Sequence, residues 1–218
     1  MAFDAVIFDW RGTLVTTLTE REWVTLGVAA VGMPEDAVES VIEAIETANG
    51  PEDRLDATGV DCDASLHRTT FMGVFEDAGL RPDLAEALYA LEADPQHNPF
   101  AVDVESTLQA LHRAGLRVAV LSDIHFDLRP VFADAGLLDY VDAFTLSFEQ
   151  GVQKPNPLMF TRTADVLGVE PARCLMVGDR SRPDGPAVEQ GMTTLLLPPL
   201  RSTEERRLHH VLALSGVE

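Results

Sequence analysis

The stretch Ala5-Val6-Ile7-Phe8-Asp9-Trp10-Arg11-Gly12-Thr13-Leu14 limits what this chain can fold into more than any other. Val6, Ile7 and Phe8 form a short apolar run of the residue types found in buried strands, and a carboxylate, Asp9, ends it abruptly. Gly12 permits a sharp turn and Thr13 returns a hydroxyl to the same place. Ligands of open α/β sheets gather just beyond the carboxyl ends of strands, so Asp9 stands where a working residue would. A turn or helix-cap role also fits Asp9 on this segment alone, and the rest of the chain must decide.

After Thr16 the pattern turns helical. Thr19 and Glu22 form a capping box ahead of Trp23, Leu26, Val28 and Val31, with Gly32 as the stop. Pro34 opens a second helix carrying Val38, Val41, Ile42 and Ile45, closed by Asn49-Gly50. A polar loop over 51–61 leads to a third helix through Leu66, Phe71, Val74 and Phe75, and Pro82 begins a fourth. From Pro99 onward helices and apolar runs alternate: a helix over 104–111, a strand over 118–121 ending in Ser122-Asp123, a helix over 128–135 and a strand over 143–146. A helix over 157–167, a strand over 174–177 ending in Gly178-Asp179, a helix over 186–190 and a strand over 194–197 complete the series. Ser202 and Glu205 are read as the cap of a C-terminal helix through Leu212. This alternation predicts a doubly wound, parallel-sheet α/β core of the Rossmann-like kind, formed by residues 1–15 and 99–218. An all-helical domain, 16–98, is inserted after the first strand, where it covers Asp9.

Composition narrows the function. Sixteen basic against thirty-six acidic residues give a formal charge of −20, which repels nucleic acid and anionic membrane surfaces. A phosphorylated substrate therefore needs local positive charge or a metal to enter. Two cysteines, Cys62 and Cys174, lie far apart without CxxC spacing and are read as structural, a usage that fits a reducing cytoplasm. No run of about eighteen apolar residues marks a membrane span. A monomer or a homodimer is expected.

Asp9, Ser122 and Asp179 all follow apolar runs, Lys154 sits in the proline-stiffened Gln-Lys-Pro-Asn-Pro, and Asp184 lies five residues beyond Asp179. Such a set has a clear use. An aspartate attacks phosphorus in line only if its charge and that of the phosphate are neutralised, which Mg²⁺ on Asp9 and Asp179, with Ser122 and Lys154 on the phosphoryl oxygens, would do. Each residue also has a blander reading: a helix cap for Ser122, Asp179 and Asp184, a solvated loop residue for Lys154.

Taken in order, these motifs resemble those of the haloacid dehalogenase superfamily of hydrolases, with a helical cap inserted after the first motif. The resemblance implies that Asp9 is the nucleophile, that Thr13 positions it, and that Ser122, Asp123 and Lys154 bind the phosphate. It also implies a Mg²⁺ site on Asp9, Asp179, Asp184 and the backbone carbonyl of Arg11. Arg11 is the departure: phosphatases of this family carry a second aspartate there, as acid to the leaving group and then base to water, and a guanidinium performs neither task. General acid–base catalysis is worth about 10² to 10⁴ in rate. Dehalogenases of the superfamily also lack the second aspartate, but commonly have tyrosine there and need no metal.

Three readings follow. The preferred one is a Mg²⁺-dependent phosphohydrolase of small phosphomonoesters through an aspartyl-phosphate on Asp9. The second is a metal-independent dehalogenase in which Arg11 holds a substrate carboxylate, and the third a phosphate-binding module with impaired catalysis. Asp123 and His125 are the residues near Ser122 that would stand in as proton carrier. Arg180 and Arg182 are read as solvated loop residues, Trp10 as a packing or cap-facing residue, and Trp23 as core of the helical insertion.

Overall fold

The computed structural model describes residues 3–217. Five strands, β1 (Ala5–Phe8), β2 (Arg117–Ser122), β3 (Ala143–Leu146), β4 (Cys174–Gly178) and β5 (Thr193–Leu196), form one parallel sheet in the order β3-β2-β1-β4-β5. Alternate side chains enter opposite layers because successive residues of a strand face opposite ways. Val6 and Phe8, Val118 and Val120, and Leu175 and Val177 join one apolar cluster, whereas Ala5 and Ile7, Ala119 and Leu121, and Cys174 and Met176 join the other. Burial on both faces explains the unbroken apolar runs in the sequence.

Between β1 and β2 lie α1 (Glu20–Ala30), α2 (Val38–Asn49), α3 (Ala64–Asp77), α4 (Pro82–Glu92) and α5 (Val104–Arg113). The capping box at the start of α1 is made in full, with Thr19 N–H donating to Glu22 Oε2 at 2.8 Å and Glu22 N–H to Thr19 Oγ1 at 3.3 Å. Helices α1 to α4 enclose an apolar cluster of their own, built on Val24, Val28, Phe75, Leu84 and Leu88, and Trp23 packs on it while its indole N–H donates to Leu88 O at 2.8 Å. Helix α5, α6 (Arg129–Asp134) and α10 (His209–Ser215) cover one face of the sheet through Leu108, Phe132 and Val211. After α7 (Ser147–Gln150), α8 (Pro157–Leu167) covers the other face through Met159, Phe160 and Ala164, and α9 (Ser181–Asp184) follows β4. Among the described residues no helix is long and apolar enough to cross a membrane.

Three local expectations are corrected. The segment expected as a helix over 186–190 is the 3-10 turn Gly185–Gln190. The last strand lies one residue earlier than its apolar run. Ser202 and Glu205 close a turn rather than start a helix, with Glu205 N–H donating to Ser202 O at 3.1 Å, and α10 begins only at His209. Tertiary bonds account for the delay: Arg207 donates to Thr13 O at 2.8 Å and Leu208 N–H to Asp103 Oδ2 at 2.9 Å, which pins the segment to the core.

The sheet order reverses between β1 and β4, because the chain winds outward from β1 through β2 to β3 and then crosses to the other side. Crevices of open α/β sheets form at that switch point. Register brings the ends level: Phe8 pairs with both Val120 and Val177, so the residues just after β1, β2 and β4 emerge side by side.

Candidate active site

Asp9 is the first residue past β1, and its N–H donates to Val177 O at 2.8 Å, which fastens the turn to β4. Its Oδ2 accepts from Thr13 Oγ1 at 3.1 Å and its Oδ1 from Lys154 Nζ at 2.6 Å. Lys154 is 3 % exposed, and its ammonium also donates to Asp184 Oδ1 at 2.7 Å. Asp123 Oδ1 accepts from the Lys154 main-chain N–H at 2.8 Å, which sets the height of that loop over the strand ends. Asp184 Oδ2 in turn accepts from Arg180 N–H at 3.1 Å. Ser122 is buried at the end of β2 and lines the same cavity as Asp9, Asp123 and Asp179, a space of about 300 Å³.

Two glycines are dictated by this crowding. Gly12 has φ +77°, and a Cβ there would lie 2.3 Å from Asp179 Oδ2; a Cβ on Gly178 would lie 2.3 Å from Asp184 Oδ2.

The electrostatics follow from burial and proximity. Burial alone would lower the Lys154 ammonium, but the carboxylates of Asp9, Asp184 and Asp123 outweigh it and hold the group well above the ordinary lysine range. Burial raises Asp9, with Lys154 opposing and Asp184 adding. Asp179 is pushed up to about 6 by burial and then by Asp9 and Asp184, and burial lifts Asp123 to about 7. Asp9, Asp179 and Asp184 each present an oxygen within 4.8 Å of the others, and Asp179 Oδ1 is buried with no hydrogen-bond partner. Oxygen-only donors with excess negative charge and an orphaned acceptor suit a hard divalent cation.

Arg11 is drawn away from this cluster. Its guanidinium pairs with the Glu92 carboxylate at the end of α4, donates to Glu92 O at 2.9 Å and reaches Asn98 Oδ1 at 3.4 Å. Trp10 is fully buried with its ring edge-on to Phe126, a packing residue. Arg180 is exposed, as its reading as a solvated loop residue expected, and it also lines the rim of the cavity and reaches Asp56 of the α2–α3 connection at 3.3 Å. Arg182 lines a small neighbouring recess with Lys154 and Asp56. His125 is buried and stacks on His67 at 3.6 Å between ring centroids, away from the cavity wall.

Sequence reading missed Asp61 and His67, both of which line the cavity from the helical side. A signal was present for His67: it precedes Phe71, Val74 and Phe75 at helical spacing and shares their buried face. Asp61, in a polar loop, carried none.

The chain is thus an α/β protein whose parallel sheet carries a carboxylate–lysine cluster at its switch point, overlain by helices inserted after the first strand. The family model described as haloacid dehalogenase-like hydrolase matches residues 3–191, and the chain belongs to that family. It is 32% identical over 116 residues to a phosphoserine phosphatase of Thermus thermophilus, covering 52% of this chain and 47% of that protein. The chain thus spans about half the length of the curated relatives it matches. Among solved structures, an HAD phosphatase from Thermococcus onnurineus is 26% identical with a TM-score of 0.66, covering 99% of both chains. The L-2-haloacid dehalogenase of Xanthobacter autotrophicus, solved with chloropropionic acid covalently bound, shares the fold at 24% identity and a TM-score of 0.65, covering 99% of this chain and 84% of that one.

Proposed function

We propose that this chain is a Mg²⁺-dependent phosphohydrolase of small phosphomonoesters, with residues 16–98 as a cap over a core of 1–15 and 99–218. The observation that carries the reading is Asp9 itself, a buried strand-end carboxylate steered on one oxygen by Thr13 and on the other by Lys154. In this reading Asp9 attacks phosphorus, the bond from phosphorus to the leaving oxygen breaks, and water then hydrolyses the aspartyl-phosphate. Lys154 and Ser122 hold the phosphoryl oxygens in place. Asp9, Asp179 and Asp184 would hold Mg²⁺, which when bound offsets the charge that otherwise keeps a phosphate out. A cavity of about 300 Å³ and a net charge of −20 favour a small soluble ester over a polymer.

Arg11 moves no proton. Asp123 faces the same cavity as Asp9 and takes that duty: it protonates the leaving oxygen and then accepts a proton from the attacking water. The dehalogenase reading needs Arg11 free to hold a substrate carboxylate, and Glu92 and Asn98 already occupy it. The two free cysteines fit a reducing cytoplasm, and all the proposed groups come from one chain, so a monomer suffices.

The deciding experiment compares wild type and Asp9→Asn on a panel of phosphomonoesters and on short 2-haloacids. Mg²⁺-dependent phosphate release that vanishes in the variant, without halide release, is the expected outcome. Metal-independent halide release, or phosphate release untouched by the substitution, would refute the assignment.

A further inference from the structure

One cluster, with two buried histidines and a half-buried carboxylate, plays no part in the reaction above. Asp61 in the turn Val60–Cys62, His67 on α3, and His125 in the loop after β2 each offer one ligand atom, and these lie within 4.8 Å of one another. His67 Nε2 is 3.8 Å and His125 Nδ1 is 3.9 Å from the same oxygen, Asp61 Oδ1. Both separations exceed hydrogen-bond reach, so neither ring nitrogen is hydrogen-bonded to the carboxylate it faces. The imidazoles are 2 % and 6 % exposed, and His125 Nδ1 is buried with no hydrogen-bond partner. On the far side of His67, Nδ1 lies 3.2 Å from Tyr89 Oη. Such an outer contact is what fixes the tautomer of a metal-ligating histidine and leaves its other nitrogen free to coordinate.

We propose that Asp61, His67 and His125 form a binding site for a transition metal of the Zn²⁺ kind, separate from the carboxylate cluster around Asp9. Two imidazoles and one carboxylate are the donors such ions take, whereas the oxygen-only set at Asp9 suits Mg²⁺. With bonds of about 2.1 Å, tetrahedral ligand atoms stand about 3.4 Å apart, so the Asp61–His gaps must close by only a few tenths of an ångström. The rings stack with their planes 20° apart, and loading the site turns one of them out of the stack to aim its lone pair at the ion. Asp61 and His67 line the main cavity, which leaves an open coordination position facing it. Asp61 and His67 come from the helical insertion and His125 from the sheet's end. The ion therefore clamps the two layers together over Asp9. This inference does not depend on the phosphohydrolase reading.

The test uses the full chain, stripped with chelator, titrated with Zn²⁺ by calorimetry and with Co²⁺ by visible absorption and imidazole NMR. The expected result is one ion per chain that perturbs two histidine rings and persists in Asp179→Asn. Affinity falls at least about 100-fold in His125→Gln and His67→Gln, and about 10- to 100-fold in Tyr89→Phe, with folding checked by circular dichroism. Should the histidine variants fail to fold, the wild-type NMR signature decides. Co²⁺ that leaves every imidazole resonance unmoved overturns the proposal, as does Zn²⁺ binding that is lost in Asp179→Asn but intact in His125→Gln.

Discussion

Substituting Asp123 by asparagine isolates the proton that Arg11 cannot carry. The amide keeps an oxygen at Oδ1, so the 2.8 Å hydrogen bond from Lys154 N–H survives and the loop that delivers the lysine stays in place. The ability to give and take a proton is lost, together with the carboxylate charge, while the hydrogen bond that seats the loop is kept. General acid–base catalysis contributes about 10² to 10⁴ in rate, or about 3 to 5 kcal/mol of barrier, and Asp123→Asn should lower kcat by that factor on alkyl phosphates. p-Nitrophenyl phosphate sharpens the test because its leaving group departs without protonation. Stopped-flow mixing should then show a burst of nitrophenolate close to one equivalent, followed by a slow phase, as the phosphoenzyme forms but water attack lacks its base. A kcat within about threefold of wild type on alkyl phosphates, with no burst on the aryl ester, would show that another group moves the proton.

Replacing Lys154 by methionine leaves the buried carboxylates of Asp9 and Asp184 without their shared counter-ion and should cost about 3 to 5 kcal/mol at neutral pH, read from urea unfolding. In that variant burial keeps a proton on Asp9 that the unfolded chain has released, so stability should fall as pH rises above the ordinary carboxylate range and recover on acidification; a pH-independent loss would contradict the argument. Gly12→Ala meets both a left-handed backbone and Asp179 Oδ2, and should cost about 1 to 2 kcal/mol from the backbone alone while weakening Mg²⁺ binding, measured by thermal melts with and without the ion. Unchanged stability would mean that the turn relaxes freely.

Local signals carried much of this protein. Strand ends were legible because an apolar run stopped by Asp9, Ser122 or Asp179 needs only residue order to be seen, and the α1 capping box because Thr19 and Glu22 are three residues apart. The C-terminal capping box misled for the opposite reason: its residues have the right spacing, but Arg207 and Leu208 are held by acceptors about a hundred residues or more away. Arg180 is exposed as read, but its pairing with Asp56, 124 positions off, could not be seen from residue order.

By itself the sequence determined the order of strands and helices, the glycines at the turns, and which polar side chains stand at strand ends, because backbone sterics and apolar periodicity act over a few residues. Only the tertiary structure decided that Arg11 turns to Glu92, that Lys154 bridges Asp9 and Asp184, and that Asp61, His67 and His125 meet across two layers. Those outcomes depend on which charges share one low-dielectric space, and that is known only once the sheet's register and the helices above it have brought distant residues together.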